Sequence, residues 1–403
     1  MISLGLIREY KQPPDRRVAF TPQQCHQIKT IFSESNVVVE SSPDRIFNDE
    51  SFKKEGIGVT NDLSNCTILF GIKEVPIDKL IQGKTYLFFS HTIKKQAHNR
   101  EMLKAIVKKN IRLIDYECLV WPSGARVLGF GRYAGLVGTY ETFKALGIKN
   151  NTFTIKPAYE CADYAEMLAV LKSIEGILKS GKHKIVVTGS GRVSSGVEEL
   201  LNALTVKKVS PHDFLNLKDN ETVYTLLDSH DLYERKDGEP WNHEHFFYNH
   251  REYQSKFEPY TRVADIMING VFWDSAMPRH FEKEDTKSKV FSIKIIGDIS
   301  CDVEGSVPIT LHDTHADNPV FGWDAANQCE CDPYTETGID IMAVSNLPSE
   351  LPANASEGFG AELIKTVLPE LLNPESEMIK NATICEEGRL TARFSYLQDY
   401  IDN

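Results

Sequence analysis

The feature that most constrains the fold is a β-branched segment that runs directly into a glycine-rich turn. Lys184–Thr188 reads KIVVT, and residues 189–196 that follow it read GSGRVSSG. Glycines here permit a tight turn and let backbone N–H groups approach a phosphate, and the N-terminus of the next helix attracts its negative charge. The pattern predicts a dinucleotide site, with an ordinary glycine turn as the alternative. The residues predicted to line this site are Gly189, Ser190, Gly191, Arg192, Val193 and Ser194, the last standing where a third glycine is usual.

Short apolar runs alternate with helical patterns along the first third of the chain. Residues 66–72 (CTILFGI) and 85–90 (TYLFFS) are almost continuously apolar, which is typical of buried parallel strands. Residues 96–109 follow with the spacing of an amphipathic helix, and RLIDY at 112–116 reads as another strand. The alternation predicts an α/β protein with two Rossmann-like domains built on parallel sheets.

The sequence changes character after a predicted helix at Tyr133–Leu146. Residues 222–260 are rich in His, Glu, Asp and Tyr with weak periodicity, and we expect an insertion of loops and short helices there. The other elements predicted in this part are strands at 206–209, 264–269, 292–298 and 338–344, the last strand, and terminal helices at 354–372 and 389–401.

Length and charge narrow the class of protein. A chain of 403 residues predicts two or three domains, and its net charge of -12 argues against nucleic acid as a partner. The N-terminal apolar stretch is too short for a signal peptide, and no apolar run approaches the ~20 residues of a membrane helix. We therefore expect a cytoplasmic protein without a membrane partner. Its eight cysteines are scattered, as expected of reduced and mostly buried thiols.

The choice of cofactor is predicted from the end of the strand that follows the glycine turn. Proteins that prefer NAD usually carry Asp or Glu about 20 residues on, where it binds the ribose 2′-hydroxyl. This chain has Ser210 there, after Lys207 and Lys208. Positive charge without a carboxylate suits a 2′-phosphate, so NADP is predicted. NAD stays possible because Asp213 could reach the ribose.

Two ionisable residues follow neighbouring predicted strands and are candidates for acid–base catalysis. Lys73 follows CTILFGI, and His91 follows TYLFFS. Sites in parallel sheets form beyond the carboxyl ends of the strands, so both side chains could share one cleft. Burial and like charge would then lower the pKa of the lysine, and histidine titrates near neutrality. The alternatives are a surface lysine and a histidine with a structural hydrogen bond.

Other polar residues are candidates for binding. Arg17 and Arg126 could pair with substrate carboxylates, although each could equally form a surface ion pair. Asp302 follows the strand predicted at 292–298 and could lie near a nicotinamide ring or cap a turn. No metal is predicted. Two histidines and two cysteines, His312, His315, Cys329 and Cys331, suggest zinc, but the cysteines are too close together, and a solvated loop with buried thiols is expected.

Motifs spread over nearly the whole chain resemble one enzyme family. They are DRRVAFTP (15–22), GIKEVP (71–76), YLFFSHTIKKQ (86–96), RLIDYE (112–117), ARVLGFGRYAGLVG (125–138), TGSGRVSSG (188–196), INGVFW (268–273), GDISCDVEGS (297–306) and NLPSELPANASEGFG (346–360). The chain resembles the lysine-forming saccharopine dehydrogenases, most closely the lysine–ketoglutarate reductase half of the aminoadipic semialdehyde synthases.

The resemblance implies a fold related to alanine dehydrogenase with an active site in the interdomain cleft. Residues 1–135 with 350–403 would form the catalytic domain, and 136–349 the dinucleotide domain. The roles it implies are acid–base catalysis for Lys73 and His91, substrate binding for Arg17, Arg126, Glu74 and Glu117, and cofactor binding for Asn269, Gly270 and Asp302. The implied reaction joins the ε-amine of lysine to the ketone of 2-oxoglutarate and reduces the imine to saccharopine, or reverses these steps.

Two other functions remain open on the sequence alone. A different amino-acid dehydrogenase of the same superfamily, similar to alanine dehydrogenase, would not need two spaced arginines for three substrate carboxylates. A non-catalytic nucleotide-binding module would keep the glycine turn and would have no use for Lys73 together with His91.

Overall fold

The computed structural model describes residues 2–12, 14–32, 35–218 and 221–402, and the chain divides into two compact units. Unit 1 comprises Met1–Phe130 and Pro352–Asn403, and unit 2 comprises Gly131–Leu351. Unit 1 is therefore discontinuous in sequence, because unit 2 is inserted into it. Within the described residues, no helix has the length and apolar character needed to cross a lipid bilayer.

Eighteen strands and fifteen α-helices are described. The strands are β1 (Ile2–Leu6), β2 (Ser35–Glu40), β3 (Gly58–Thr60), β4 (Ile68–Phe70), β5 (Thr85–Phe88), β6 (Arg112–Asp115), β7 (Lys184–Thr188), β8 (Lys207–Lys208), β9 (Val223–Leu227), β10 (Tyr233–Arg235), β11 (Tyr253–Ser255), β12 (Ile266–Asn269), β13 (Ile295–Asp298), β14 (Val320–Asp324), β15 (Cys329–Cys331), β16 (Ile339–Met342), β17 (Thr383–Glu386) and β18 (Arg389–Leu390). The helices are α1 (Pro22–Ile31), α2 (Asp49–Lys54), α3 (Arg100–Lys108), α4 (Gly131–Lys149), α5 (Tyr164–Ser173), α6 (Glu175–Ser180), α7 (Arg192–Ala203), α8 (Pro211–Asn216), α9 (Ser229–Leu232), α10 (His243–Tyr248), α11 (Glu258–Thr261), α12 (Pro352–Glu362), α13 (Leu368–Leu371), α14 (Glu377–Ala382) and α15 (Gln398–Asp402).

Unit 1 is built on an eight-stranded sheet in the order β18-β17-β6-β5-β4-β1-β2-β3. The strands from β6 to β3 in this order are parallel, whereas β17 and β18 add antiparallel pairs at one edge. Apolar clusters lie on both faces of the sheet, which explains why β4 and β5 are almost continuously hydrophobic. The carboxyl ends of β1, β4, β5 and β6 consequently lie side by side at one edge.

Unit 2 contains a second eight-stranded sheet, in the order β15-β14-β16-β13-β12-β7-β9-β8. Its central strands β12, β7 and β9 are parallel, and all five residues of β7 are buried. The chain leaves β7 toward one side and later returns to β12 on the other, so β7 lies at the switch point of the sheet, where α/β proteins bind ligands. The predicted α/β fold with two Rossmann-like domains is thus confirmed.

Two glycines let the long helix α4 approach α7 closely. A Cβ atom at Gly135 of α4 would lie 2.0 Å from the carbonyl oxygen of Val193. One at Gly196 of α7 would lie 2.1 Å from the carbonyl oxygen of Arg132. The last glycine of the GSGRVSSG segment therefore serves helix packing, which holds the glycine turn against α4.

Local signals in the sequence explain where α1 begins. Thr21 caps α1 by accepting a hydrogen bond from the Gln24 backbone N–H, and the Gln24 side chain accepts one from the Thr21 N–H, with Pro22 at the first helical position. Thr21, Pro22 and Gln24 thus mark the start of α1 in the sequence itself.

Three predictions about secondary structure were wrong. Residues 222–260 are not only loops and short helices, because β9 in this range is a buried strand of the main sheet of unit 2. Residues 338–344 do not hold the last strand, because β17 and β18 follow. Residues 389–401 form β18, a 3-10 segment at Ala392–Leu397 and the short α15 rather than one helix.

Candidate functional site

Charged side chains from four neighbouring strands meet at one edge of the unit 1 sheet. Lys73 and Glu74 follow β4, and His91 follows β5. The Nδ1 atom of His91 lies 2.6 Å from Oε1 of Glu74, and both side chains are partly exposed. Burial opposes ionisation of Glu74, but the hydrogen bond to His91, a backbone hydrogen bond and the charges of His91 and Lys11 together outweigh it and lower the pKa of Glu74 to about 2. Glu74 is therefore an anionic partner for the imidazole throughout the physiological range.

His91 also has an unusual backbone conformation. Its φ angle is +50°, in the left-handed region that non-glycine residues rarely occupy. Such conformations persist where the surroundings fix them, and they are concentrated at functional sites.

Lys73 lies in a positively charged and partly enclosed setting. Burial lowers the pKa of the Lys73 ammonium, and the Arg17 guanidinium lowers it further. Arg17 is itself only 2% exposed and donates from Nε and Nη2 to the Asp15 carboxylate, at 2.9 and 2.6 Å. Burial opposes ionisation of Asp15, but Arg17 outweighs it and holds the pKa of Asp15 at about 2.

Glu9, which follows β1, was not predicted. Its carboxylate oxygens accept hydrogen bonds from the backbone N–H groups of Ile72 and Lys73, at 2.7 and 2.8 Å. Burial and the Asp15 carboxylate raise the pKa of Glu9 to about 8, against the effect of these two donors. Glu9 thereby holds the turn that presents Lys73. Its only sequence signal is a glutamate three residues beyond the end of a strand.

The remaining predicted residues of unit 1 are joined through Asp115. Its carboxylate accepts hydrogen bonds from the backbone N–H of Ser90, at 3.1 Å, and from that of Glu117, at 2.7 Å. It thus connects the turn that carries His91 to the turn that carries Glu117. Glu117 in turn accepts a 2.6 Å hydrogen bond from Arg126, whose side chain is 50% exposed. The structure brings Glu117 and Arg126 together as an ion pair, and it places Arg17 with Asp15 instead.

In unit 2 the glycine turn has the features that a pyrophosphate needs. Gly189 has a φ angle of +89°, and a Cβ there would lie 2.9 Å from the carbonyl oxygen of Gly270. A Cβ at Gly191, which precedes the first residue of α7, would meet nothing within 4 Å, so the space in front of this helix end is open. Ser194 is buried and donates to the Thr188 carbonyl oxygen at 3.2 Å. Open space before the N-terminus of a helix fits a dinucleotide phosphate.

The sheet order places Ser210, on which the NADP prediction rests, away from the strand beside β7. Ser210 follows β8, but β8 lies at the sheet edge, and the strand beside β7 is β9. The side chains of Lys207 and Lys208 are paired with Glu221 and Glu198, each at 2.6 Å. Ser210 caps α8 by accepting from the Asp213 N–H. The strand-end position beside β7 belongs to Asp228, which directly follows β9.

The other residues predicted to bind cofactor lie at the ends of β12 and β13. Asn269 is fully buried, so its side chain offers no surface to a ligand. Gly270 lies against Gly189, as the 2.9 Å approach described above shows. A Cβ on Gly270 would in addition lie 2.8 Å from the side chain of Val193. Asp302 is partly exposed in the loop after β13.

The possible zinc ligands lie on separate segments, with His312 and His315 before β14 and with Cys329 and Cys331 on the edge strand β15. His312 contacts Glu330 at 3.2 Å, and Glu330 alternates along β15 with Cys329 and Cys331, so its side chain faces the opposite side of the strand. Cys329 is exposed, which corrects the expectation of buried thiols in a loop.

Comparisons with known proteins agree with this architecture. The family model of the alanine dehydrogenase/PNT N-terminal domain matches residues 5–137. A solved L-alanine dehydrogenase covers 100% of the chain with a TM-score of 0.65 at 15% sequence identity, with 99% of its own chain covered. Residues 5–137 thus match the N-terminal domain of the alanine dehydrogenase/PNT family, and the chain as a whole shares the fold of L-alanine dehydrogenase.

The sequence relatives are those that the motifs predicted. The mitochondrial alpha-aminoadipic semialdehyde synthase of Mus musculus is 29% identical over 98% of the chain, but only 47% of that protein is covered. The chain thus spans about half the length of this relative. The saccharopine dehydrogenase [NAD(+), L-lysine-forming] of Emericella nidulans is 25% identical, with 90% of each chain covered. The resemblance to saccharopine dehydrogenases is confirmed.

Proposed function

We propose that the protein is an NAD-dependent oxidoreductase that forms saccharopine from L-lysine and 2-oxoglutarate, or cleaves it to these products. The observation that carries the proposal is the arrangement in unit 1, where Lys73, its pKa lowered by burial and Arg17, follows the strand next to the one that His91 follows. An amine that releases its proton nearer neutrality and an imidazole with a fixed partner are suited to general acid–base catalysis.

In the direction of saccharopine formation, the ε-amine nitrogen attacks the ketone carbon, and the adduct loses water to give an imine. His91 is proposed to protonate the departing hydroxyl, while the Glu74 carboxylate stabilises the charged imidazole. Lys73 is proposed to exchange a proton with the secondary amine of the product. Lysine, 2-oxoglutarate and saccharopine are the proposed small-molecule partners.

Arg126, rather than Arg17, is proposed to bind a carboxylate of the substrate. Arg126 is half-exposed and pairs with Glu117, and an exposed guanidinium can bind a substrate carboxylate in the bidentate geometry that arginine favours. Arg17 is buried against Asp15. It therefore contributes chiefly by lowering the pKa of Lys73.

The glycine turn of unit 2 is proposed to hold the dinucleotide. The N–H groups at the start of α7 would bind the pyrophosphate in front of Gly191, and Asp228 would bind the adenosine ribose hydroxyls. When bound, the nicotinamide ring supplies or accepts the hydride. A carboxylate at the strand end repels a 2′-phosphate, so we propose NAD instead of NADP.

The deciding experiment follows NADH absorbance with lysine and 2-oxoglutarate, and NADH formation with saccharopine and NAD. Turnover in either direction supports the proposal. Pyruvate with ammonia is the matched arm for an alanine dehydrogenase-like activity. Turnover with pyruvate and ammonia but not with lysine, 2-oxoglutarate or saccharopine would contradict the assignment as a saccharopine dehydrogenase. Absence of turnover with any of these substrates would contradict it as well.

The predicted cytoplasmic location is kept as part of the proposal. The mouse relative is named as mitochondrial, so location requires its own measurement. A fluorescent fusion of the full chain that accumulates in an organelle would overturn this part.

A further inference from the structure

Three central strands of unit 2 end in polar side chains that are completely enclosed. Thr188 ends β7, Asn269 ends β12 and Asp298 ends β13, and these side chains are 0%, 0% and 1% exposed. Each residue directly precedes a loop that begins at residue 189, 270 or 299. All three loops carry residues assigned to the dinucleotide.

The Asn269 amide joins the three strand ends. Its Oδ1 accepts a hydrogen bond from Thr188 Oγ1 at 2.6 Å, and its Nδ2 donates to Asp298 Oδ1 at 2.8 Å. The backbone carbonyl of Asn269 also accepts from the Ile299 N–H at 2.9 Å. One side chain thus fixes the ends of β7 and β13 from the strand between them.

Three further side chains complete this strand-end cluster, which we define as Thr188, Asn269, His280, Asp298, Ser306 and Thr310. Ser306 Oγ accepts from Asn269 Nδ2 at 2.8 Å, and Thr310 Oγ1 donates to Asp298 Oδ2 at 2.5 Å. Burial lowers the pKa of His280 to about 3, so its imidazole is neutral, and its Nε2 lies 3.1 Å from Asn269 Oδ1 in the position of a donor.

Asp298 carries the cluster into the loop that holds Asp302. Its Oδ1 accepts from the backbone N–H of Cys301 at 3.2 Å. Cys301 has a φ angle of +59°, so this hydrogen bond supports a strained backbone next to Asp302. Burial raises the pKa of Asp298 to about 6, which leaves the acid mostly ionised at neutral pH and able to accept these donors.

We propose that the strand-end cluster is the positioning element of the nucleotide site. Asn269 holds the three cofactor loops in their relative positions without touching the dinucleotide. The inference rests on the proposed function for the identity of the ligand. It explains why the motif INGVFW carries a polar residue at a position that no ligand can reach. Losing one buried hydrogen bond leaves its partner unsatisfied, so a single substitution is felt in all three loops.

Hydrogen exchange tests the positioning role without any ligand. Asn269→Ala is expected to increase amide exchange about tenfold or more in peptides covering residues 189–194, 270–273 and 299–306 together. Thr188→Val, nearly equal in shape, is the second variant should Asn269→Ala fail to fold. The control is Thr225→Val on β9, which removes a buried hydroxyl that donates to the carbonyl oxygen of Val209. The proposal would be overturned if amide exchange became faster only in the loop beside the altered residue. It would also be overturned if Thr225→Val increased exchange in the three loops to the same extent.

Dinucleotide affinity is the second readout, measured through the fluorescence of NADH added to the full chain. Thr188→Val should weaken binding about five- to tenfold, whereas Thr188→Ser, which keeps the hydroxyl, and Thr225→Val should stay within about twofold. Unchanged affinity in Thr188→Val would overturn the proposal. If the unsubstituted protein binds neither NADH nor NADPH, the proposed function fails, and the exchange experiment still decides whether the cluster positions the loops.

Discussion

His91 Nδ1 and Glu74 Oε1, from turns that follow adjacent parallel strands, are 2.6 Å apart. The pair fixes one ring nitrogen of the imidazole. Because Lys73 precedes Glu74 in the same turn, the position of the histidine is coupled to that of the lysine. This contact is the most direct structural support for a shared acid–base site.

Removing either proposed acid–base group should reduce turnover without unfolding the protein. Lys73→Met and His91→Gln are each expected to lower kcat for saccharopine formation by about 100-fold or more, while NADH affinity stays within threefold. The controls are Lys108→Met and His98→Gln, two exposed residues of unit 1. Rates within tenfold of the unsubstituted protein in both active-site variants would remove the assignment.

Glu74 should contribute to stability in a defined pH range. Its pKa falls from 4.5 to about 2 on folding. A lowered carboxyl pKa stabilises the fold above pH 4.5, and this contribution is lost as the pH falls toward 2. The full shift corresponds to about 3 kcal/mol. Glu74→Gln should therefore flatten the acid limb of the unfolding free energy, measured by urea denaturation between pH 6 and 2.

Glu50→Gln is the matched control for this titration. Glu50 is an exposed carboxylate that pairs with Lys53 in α2, so its loss should leave the acid limb unchanged. An unaltered acid limb in Glu74→Gln would show that the contact with His91 does not form in solution.

The two glycines of the nucleotide turn should respond differently to substitution. Gly189→Ala combines a positive φ with a Cβ 2.9 Å from a backbone oxygen, so it should lower stability by about 1–2 kcal/mol or more. Gly191→Ala meets open space in the protein and should melt close to the unsubstituted protein, yet weaken NADH binding about tenfold. Thermal melts together with NADH titrations separate the two cases, and a Gly191→Ala variant with full affinity would argue against a phosphate at this turn.

Asp228 should determine the preference for NAD. We expect the unsubstituted protein to use NADH better than NADPH, and Asp228→Ser to raise the KM for NADH about tenfold while reducing the discrimination against NADPH. Serine is chosen because Asp228 also caps α9, and serine is an effective N-cap. Ser210→Ala should leave both KM values unchanged. A preference for NADPH in the unsubstituted protein would contradict this assignment of Asp228 and support the prediction of NADP from Ser210, Lys207 and Lys208.

Elements with strong local signals could be predicted from the sequence. The apolar runs of β4, β5 and β7 predicted buried parallel strands. The residues that follow these runs predicted strand-end positions for Lys73, His91 and Gly189. These predictions depend on hydrophobic patterning and on turn chemistry, both of which are local.

Relationships that depend on sheet order could not be predicted. Ser210 follows the next strand in sequence, but β9 inserts between β8 and β7 in space, and its own sequence lies in a segment with weak periodicity. Glu9 was missed because its function is to bind backbone N–H groups of a distant turn. Asn269 was predicted as a ligand-binding residue, and only its burial shows that its partners are other strand ends.

The antiparallel pairing of β6 with β17 has a consequence for synthesis on the ribosome. The last strands of unit 1 leave the exit tunnel after all of unit 2, so the inserted unit has its full complement of strands first. Until then the open edge of β6 carries unpaired N–H and C=O groups, a template for aggregation. A nascent chain stalled just after unit 2 should therefore recruit chaperones through its first 130 residues.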